Sequence, residues 1–233
     1  MLVHGGWHGG WCWKKVAPLL RAAGHEVFMP TLTGLGDRAH LLRPEVTLDT
    51  HVQDVVGMLE YEDLHGVVLV GHSYGGMVMT AVAERAANRL AHLVYLDAFV
   101  PQDGQALADL ADPTFYANLE ARARAEGEGW RVPPPPLERW GITSEADLSW
   151  MRPRIGAHPL ITFKQPVRLT DVAAASLPRT FIYCTDKPAG DSLAPLAKRL
   201  RVETNWRYRE LATAHDAMVT APQQVSASLL ELA

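Results

Sequence analysis

The stretch Gly66-Val67-Val68-Leu69-Val70-Gly71-His72-Ser73-Tyr74-Gly75-Gly76 decides the fold of this chain. Its first half is a continuous apolar run, which predicts a strand covered on both faces, and a small, apolar helical pattern follows directly. A Gly-x-Ser-x-Gly motif between a strand and a helix is typical of a nucleophile elbow, a strained turn that exposes the serine. We therefore predict Ser73 as a nucleophile. The simpler alternative is a glycine-rich turn whose serine only caps the helix.

The same alternation of apolar runs and helical patterns continues on both sides of this stretch. The predicted strands are Met1–Val3, Glu26–Met29, Val67–Val70, Leu93–Leu96, Thr180–Cys184 and Trp206–Leu211. Amphipathic segments with short connections lie between them. This pattern predicts the α/β class, with a doubly wound, mostly parallel sheet of about six strands.

Residues 101–166 interrupt this alternation and contain no clear strand pattern. They include a charged helical run at 119–126, four consecutive prolines at 133–136, and a second helix whose start is indicated by Ser144 and Asp147 at capping-box spacing. Too many large apolar residues are present for a disordered loop. We predict a helical cap at 101–166, inserted between two parts of the core at 1–100 and 167–233. An apolar substrate pocket under the cap is expected to be lined by Trp7, Trp130, Trp140 and Phe163.

A serine hydroxyl is a weak nucleophile and needs a base, which an acid then orients. His215 follows the last predicted strand, and it is the only histidine beyond position 158. We therefore predict it as the base. Asp186, which follows the strand at 180–184, is the preferred acid. Asp191 in the same loop and Asp97 at the end of the strand at 93–96 remain open alternatives.

The glycine-rich segment His4-Gly5-Gly6-Trp7-His8-Gly9-Gly10 follows the first strand. It is similar to loops that donate a backbone N–H to an oxyanion hole, and we predict the amides of Gly6 and Tyr74 as the two donors. The four-residue spacing of His4 and His8 could suggest a metal pair, but the glycines disfavour a helix there and no acidic ligand is near. Gly34–Ala39 only loosely matches a dinucleotide fingerprint. We predict neither a metal nor a cofactor.

Composition excludes several classes of protein. The chain has 233 residues, 48% of them hydrophobic and 21% charged, with a net charge of −4. This composition excludes disorder as the main state, and the absence of basic runs argues against nucleic-acid binding. No apolar stretch approaches the ~18 residues of a membrane span. Two cysteines and no recognisable leader predict a cytoplasmic protein, and a homodimer is compatible with the sequence.

Taken together, these motifs resemble the α/β-hydrolase superfamily. Within it, the chain is most similar to the branch of plant hydroxynitrile lyases, plant methyl esterases and bacterial esterases such as pyrethroid hydrolases. The resemblance rests on HGGWHGGWCW at 4–13, PTLTGLGDRAH at 30–40, GHSYGGMV at 71–78, LVYLDAFVP at 93–101, HPLITFKQPVRL at 158–169 and AHDAMVTAP at 214–222. It implies the roles already assigned to Ser73, His215, Gly6 and Tyr74, and it places the acid nearest Asp186, with a one-residue gap.

Two departures from the family pattern bear on the reaction. Where the lyases have a threonine after the first-strand histidine and a lysine after the catalytic histidine, this chain has Gly5 and Asp216. A carboxylate beside the base would repel cyanide. We therefore predict a serine carboxylesterase that acts on small hydrophobic or aryl esters through an acyl-enzyme. The alternatives are a ligand-binding protein on a hydrolase scaffold, and a lyase, thioesterase or amidase that uses the same site.

Overall fold

A five-stranded parallel sheet forms the centre of the molecule. We describe it from a computed structural model, which covers residues 1–187 and 191–232. The strands of the sheet are β1 (Leu2–Val3), β2 (Val67–His72), β3 (Leu90–Leu96), β6 (Arg179–Cys184) and β7 (Arg207–Leu211). They lie in the order β1-β2-β3-β6-β7, and every neighbouring pair is parallel. The predicted α/β class is therefore confirmed.

Helices cover both faces of this sheet. Thr47 begins one of them, because its hydroxyl accepts a hydrogen bond from the Thr50 amide and satisfies a free donor of the first turn. Successive residues of β2 belong to two different hydrophobic clusters. Leu69 packs with the helices at 48–61 and 75–86, and Val70 packs with the helices at 17–22 and 222–230. The helices outside residues 101–166 are α1 (Ala17–Ala22), α2 (Leu48–Tyr61), α3 (Gly75–Ala86), α8 (Val172–Ser176), α9 (Ala194–Leu200), α10 (Ala217–Thr220) and α11 (Pro222–Leu230).

The sixth strand expected at Glu26–Met29 is not formed. The Leu2 amide donates to the Phe28 carbonyl oxygen at 2.8 Å, but β1 is only two residues long. So short a strand cannot propagate a ladder along this segment. The number of strands in the main sheet is therefore five rather than six.

Residues 101–166 are mainly helical, but they also contain two short strands that the sequence pattern did not indicate. Arg131–Val132 (β4) and His158–Pro159 (β5) pair antiparallel over two residues each. Ser144 caps a helix as expected, since its hydroxyl accepts from the Asp147 amide at 3.4 Å. The helices of this segment are α4 (Leu107–Leu110), α5 (Pro113–Glu126) and α6 (Glu145–Met151), with α7 (Ile161–Lys164) at its end.

The carboxyl edge of the sheet brings distant parts of the sequence together. Since all five strands run in the same direction, the residues that follow them meet at one edge. Ser73 follows β2, Asp97 follows β3, Lys187 lies after β6 and His215 after β7. Across the parts of the chain described above, no helix is long and apolar enough to cross a membrane.

Candidate active site

Ser73 occupies a sharp turn between β2 and α3. Its φ angle is +54°, in the left-handed region that residues with a side chain rarely adopt. The turn is possible only because its neighbours are glycines. A Cβ atom on Gly71 would lie 2.6 Å from the Gly75 carbonyl oxygen, and one on Gly76 would lie 2.1 Å from the Phe99 carbonyl oxygen. The geometry is that of the elbow expected from the sequence.

His215 lies in the loop after β7 and contacts a buried carboxylate. Its Nδ1 atom is 2.5 Å from Oδ2 of Asp97, whose side chain is fully buried. Because the carboxylate only accepts hydrogen bonds, Nδ1 is the protonated nitrogen and Nε2 is left as the basic one. Oδ1 of Asp97 also accepts from the Cys184 amide at 3.1 Å and from Lys187 Nζ at 2.8 Å. The carboxylate is therefore firmly held.

The acid preferred from the sequence, Asp186, is not the residue that contacts His215. Asp186 is exposed, and its amide donates to the Thr213 carbonyl oxygen at 3.0 Å. The Asp186 prediction is thus corrected to Asp97, one of the two alternatives. The physical reason is the direction of the side chains: β3 and β6 both lie between the strands that precede Ser73 and His215, but the Asp97 side chain is fully buried at His215, whereas Asp186 is exposed to solvent.

Asp191, the third candidate, belongs to a neighbouring pair. Its carboxylate accepts from Tyr183 Oη at 2.7 Å and lies 2.7 Å from Lys187 Nζ. The Lys187 side chain is only 7% exposed, and it also binds the Asp97 carboxylate. No sequence pattern indicated that a buried lysine would join the two aspartates.

The two predicted oxyanion donors come from different parts of the chain: Tyr74 directly follows Ser73, and Gly6 belongs to the loop after β1. Gly5 packs so closely against the serine that a Cβ atom on it would be 3.0 Å from the Ser73 Cβ. Within residues 1–187 and 191–232, the amides of Gly6 and Tyr74 have no hydrogen-bond acceptor. Both residues are buried. Two free amides beside the serine can stabilise a negative charge that develops on a substrate oxygen.

His4 fixes the first peptide group of the turn at residues 5–7. The Leu32 amide donates to His4 Nε2 at 3.0 Å, so Nδ1 carries the proton and donates to the Gly5 carbonyl oxygen at 2.8 Å. Burial lowers the pKa of His4 to about 3, and the ring is therefore neutral. Both ring nitrogens are engaged within the protein, which is the geometry of a structural histidine.

His158 holds the next part of this turn from the segment at 101–166. The Trp7 amide donates to His158 Nδ1 at 3.3 Å, and His158 Nε2 donates to the Thr162 hydroxyl at 2.7 Å. Burial keeps the pKa of His158 well below its usual value. Trp7 has a φ angle of +64°, so this contact helps to hold a strained residue. The amide of Trp7 is consequently unavailable as an oxyanion donor.

His8 and Asp216 form a buried pair beside the site. His8 Nε2 lies 3.1 Å from Oδ2 of Asp216, and His8 Nδ1 lies 2.7 Å from the Gly6 carbonyl oxygen. Burial opposes both charges, yet the Asp216 carboxylate raises the pKa of His8. In turn, and against the same burial, His8 lowers the pKa of Asp216 to about 2.

One group in the described part of the chain has metal-like spacing. Ligand atoms of His72, His215 and Asp216 lie within 4.8 Å of one another. However, His72 Nε2 donates to the His215 carbonyl oxygen at 3.0 Å, and burial, followed by the nearby His215, lowers the pKa of His72 to about 3. Asp216 is already paired with His8. The contacts favour internal hydrogen bonding, and a site without metal stays a prediction.

A cavity of about 290 Å³ opens above Ser73 and His215. Three of the four aromatic residues predicted for the pocket line it, namely Trp7, Trp140 and Phe163. Trp130 does not, because its indole packs at the surface near Glu128 and Arg131. Several other lining residues were not predicted from the sequence; these include Phe99, Leu107, Phe115, Leu119, Arg139 and Lys187.

The strand–serine–helix turn, the histidine–aspartate contact and the free amides define a hydrolase of the nucleophile-elbow type. The chain belongs to the alpha/beta hydrolase family, whose model matches residues 1–228. It is 38% identical over 239 residues to the carbendazim hydrolyzing esterase of Nocardioides sp. (strain SG-4G), covering 100% of this chain and 98% of that protein. These relationships confirm the prediction of a carboxylic-ester hydrolase at the level of enzyme class.

More distant relatives agree with this placement. Methylesterase 1 of Arabidopsis thaliana is 27% identical over 254 residues, covering 100% of this chain and 95% of the plant protein. A solved extracellular alpha/beta-hydrolase from a Paenibacillus species superposes with a TM-score of 0.85 at 27% identity, covering 99% of this chain and 96% of that one. The resemblance inferred from the sequence motifs is thereby confirmed.

Proposed function

We propose that this protein is a serine carboxylesterase that works through an acyl-enzyme on Ser73. The observation that carries the proposal is the 2.5 Å contact between His215 Nδ1 and Asp97 Oδ2, at a cavity that Ser73 and His215 both line. In this scheme Ser73 attacks the ester carbonyl carbon while His215 Nε2 takes the hydroxyl proton. Asp97 fixes the imidazole tautomer and stabilises the imidazolium that forms.

The negative charge of the tetrahedral intermediate would fall on the amides of Gly6 and Tyr74. A donor of this kind is worth ~2.7–4 kcal/mol of transition-state stabilisation in measured cases. Collapse of the intermediate breaks the C–O bond to the alcohol, which leaves with the proton from His215. A water molecule then attacks the acyl group with His215 as its base, releases the acid and restores Ser73.

The cavity supports apolar or aryl esters as substrates. Its walls carry six aromatic side chains, which favour flat apolar groups; they are Trp7, Tyr74, Phe99, Phe115, Trp140 and Phe163. We assign residues 101–166 the role of a cap, since this segment supplies much of the lining. The cytoplasmic location and the homodimer expected from the sequence stay predictions.

The experiment is the hydrolysis of p-nitrophenyl acetate, butyrate and octanoate, with carbendazim as an additional substrate because of the Nocardioides relative. The wild type is compared with Ser73→Ala, His215→Ala, Asp97→Asn and Asp186→Asn. We expect the first three variants to lose activity and the fourth to keep it. Full activity in Ser73→Ala would refute the mechanism. A folded wild type without turnover would favour a ligand-binding protein.

A further inference from the structure

A buried ion pair joins the two loops that serve the reaction. His8 belongs to the glycine-rich loop after β1, and Asp216 directly follows His215 in the loop after β7. Their side chains are 2% and 0% exposed. The two residues are 208 positions apart in the chain, so the contact is a tertiary one that connects the oxyanion side of the site with the base.

The partners of His8 fix its protonation state. A backbone carbonyl oxygen and a carboxylate can only accept hydrogen bonds, so both ring nitrogens of His8 must carry protons. His4 differs, because one of its nitrogens accepts from the Leu32 amide. His158 also differs, because its Nδ1 accepts from the Trp7 amide. His8 alone among these three histidines of the turn has the geometry of an imidazolium.

We propose that His8 is an imidazolium at pH 8 and below, and that together with Asp216 it holds the oxyanion loop against the base loop and so aligns the Gly6 amide with His215. The proposal rests on the proposed esterase function for its kinetic consequences. Neither residue lines the cavity, so both act as positioning residues. The imidazolium donates a hydrogen bond to the Gly6 carbonyl oxygen, which belongs to the peptide group after the Gly6 amide. Its partner, Asp216, is the residue that follows the base His215 in the chain.

The surroundings of the pair are unfavourable for a single unpaired charge. Oδ1 of Asp216 lies 3.7 Å from His72 Nε2, and His8 stacks on the Trp11 ring at 5.5 Å and contacts the Trp140 ring at 4.9 Å. The ionisable groups that face the pair are four histidines and two buried thiols, namely His4, His72, His158, His215, Cys12 and Cys184. A lone charge would be costly there, whereas a joined pair is tolerated and gives a unique geometry.

The charge state can be measured without any substrate. Nitrogen-15 chemical shifts of the histidine rings are recorded on the intact protein at pH 8, with His8 assigned by its loss in His8→Gln. We expect both His8 nitrogens to be protonated in the wild type, and Asp216→Asn to return the ring to a neutral tautomer. A bare ring nitrogen on His8 in the wild type at pH 8 would overturn the proposal.

Steady-state kinetics of Asp216→Asn distinguish a positioning role of the His8–Asp216 pair from a purely structural one. A displacement of about 1 Å between catalytic groups can cost ~100-fold. We therefore expect Asp216→Asn to lower kcat by roughly 10- to 100-fold with little change in KM, when rates are normalised to folded enzyme by active-site titration. The double variant His8→Gln/Asp216→Asn should lose no more kcat than the more impaired single variant, because both substitutions remove the same contact between the two loops.

His92→Gln is the matched control, since His92 is a buried histidine on β3 that bonds the Thr180 hydroxyl at 2.8 Å, away from the two loops. It should leave kcat unchanged. An Asp216→Asn enzyme with wild-type kcat and a neutral His8 would overturn the positioning role. A wild type without ester turnover would contradict the proposed function instead, while the nitrogen-15 measurement would still decide the charge of His8.

Discussion

Acidification should destabilise this protein because four histidines are buried in their neutral form. His4, His51, His72 and His158 are all fully buried, and each has at least one ring nitrogen bonded to a backbone group. Burial is the first cause that lowers their pKa values, to about 3 for His4 and His72, to about 4 for His51, and well below the usual value for His158. In the unfolded chain the same rings titrate near 6.5.

The sign follows from this difference. Since the pKa values in the folded state lie below the value in the unfolded chain, the stability that the neutral histidines contribute is fully present above pH 6.5. It is lost as the pH falls towards their folded pKa values. At pH 5 each unfolded ring gains about 2 kcal/mol by binding a proton that the folded state cannot take up. The four together lower the free energy of unfolding by about 8 kcal/mol, which is comparable to the ~5–15 kcal/mol stability of a typical domain.

Urea unfolding between pH 7 and pH 5 measures this effect. Around pH 5.5 the free energy of unfolding should fall by about 5 kcal/mol per pH unit, which corresponds to an uptake of about four protons. His51→Gln should remove roughly a quarter of that slope, while His25→Gln, at an exposed position, should leave it intact. His8 acts in the opposite direction, because its raised pKa gives a contribution that is complete below pH 6.5 and is lost as the pH rises.

A stability that does not change between pH 7 and pH 5 would refute the reasoning. So would an unchanged slope in His51→Gln, since that variant removes one of the four titrating rings. A slope that disappears in His25→Gln would show that the acid sensitivity arises at the surface instead.

Three further predictions concern single positions. Asp97→Asn should lower kcat by about 10⁴-fold at pH 7 in the p-nitrophenyl butyrate assay, as loss of the orienting carboxylate does in serine hydrolases, whereas Asp186→Asn should match the wild type. Gly76→Ala should lower stability by about 1–3 kcal/mol in urea unfolding, because its Cβ would lie 2.1 Å from a backbone oxygen; an unchanged midpoint would contradict the close packing of the elbow. Lys187→Met should lower the free energy of unfolding by about 3–5 kcal/mol in urea, because it leaves a buried carboxylate unpaired. Lys164→Met, at a lysine that is 43% exposed, should lower it by less than about 1 kcal/mol. Equal losses in the two variants would contradict a buried ion pair at Lys187.

The parts of the site that the sequence could predict are those fixed by local constraints. A serine at a φ angle of +54° needs small neighbours, so the glycines at 71 and 75 mark the turn by themselves. His215 was recognisable because it follows the last strand. Both features depend on a few adjacent residues, and a single sequence contains that information.

The parts that it could not predict depend on how strands are ordered and where side chains point. Asp97 and Asp186 both follow predicted strands, and nothing in the sequence states that β3 lies next to β2. Trp130 and Trp140 are equally apolar, yet only Trp140 faces the cavity. The segment at 26–29 has a good strand pattern but meets too short a partner in β1.

The position of the acid also has an electrostatic consequence. The loop after β6 could have supplied the carboxylate, but in this chain it supplies Lys187, which lies 2.8 Å from Asp97 and 2.7 Å from Asp191. Two carboxylates and one ammonium leave one net negative charge, the same as a single isolated aspartate. In the proposed mechanism, a lone lysine beside Asp97 would cancel the charge that stabilises the imidazolium of His215, and Asp191 restores that charge. The aspartate that does not touch the base therefore contributes to the charge balance on which the base depends.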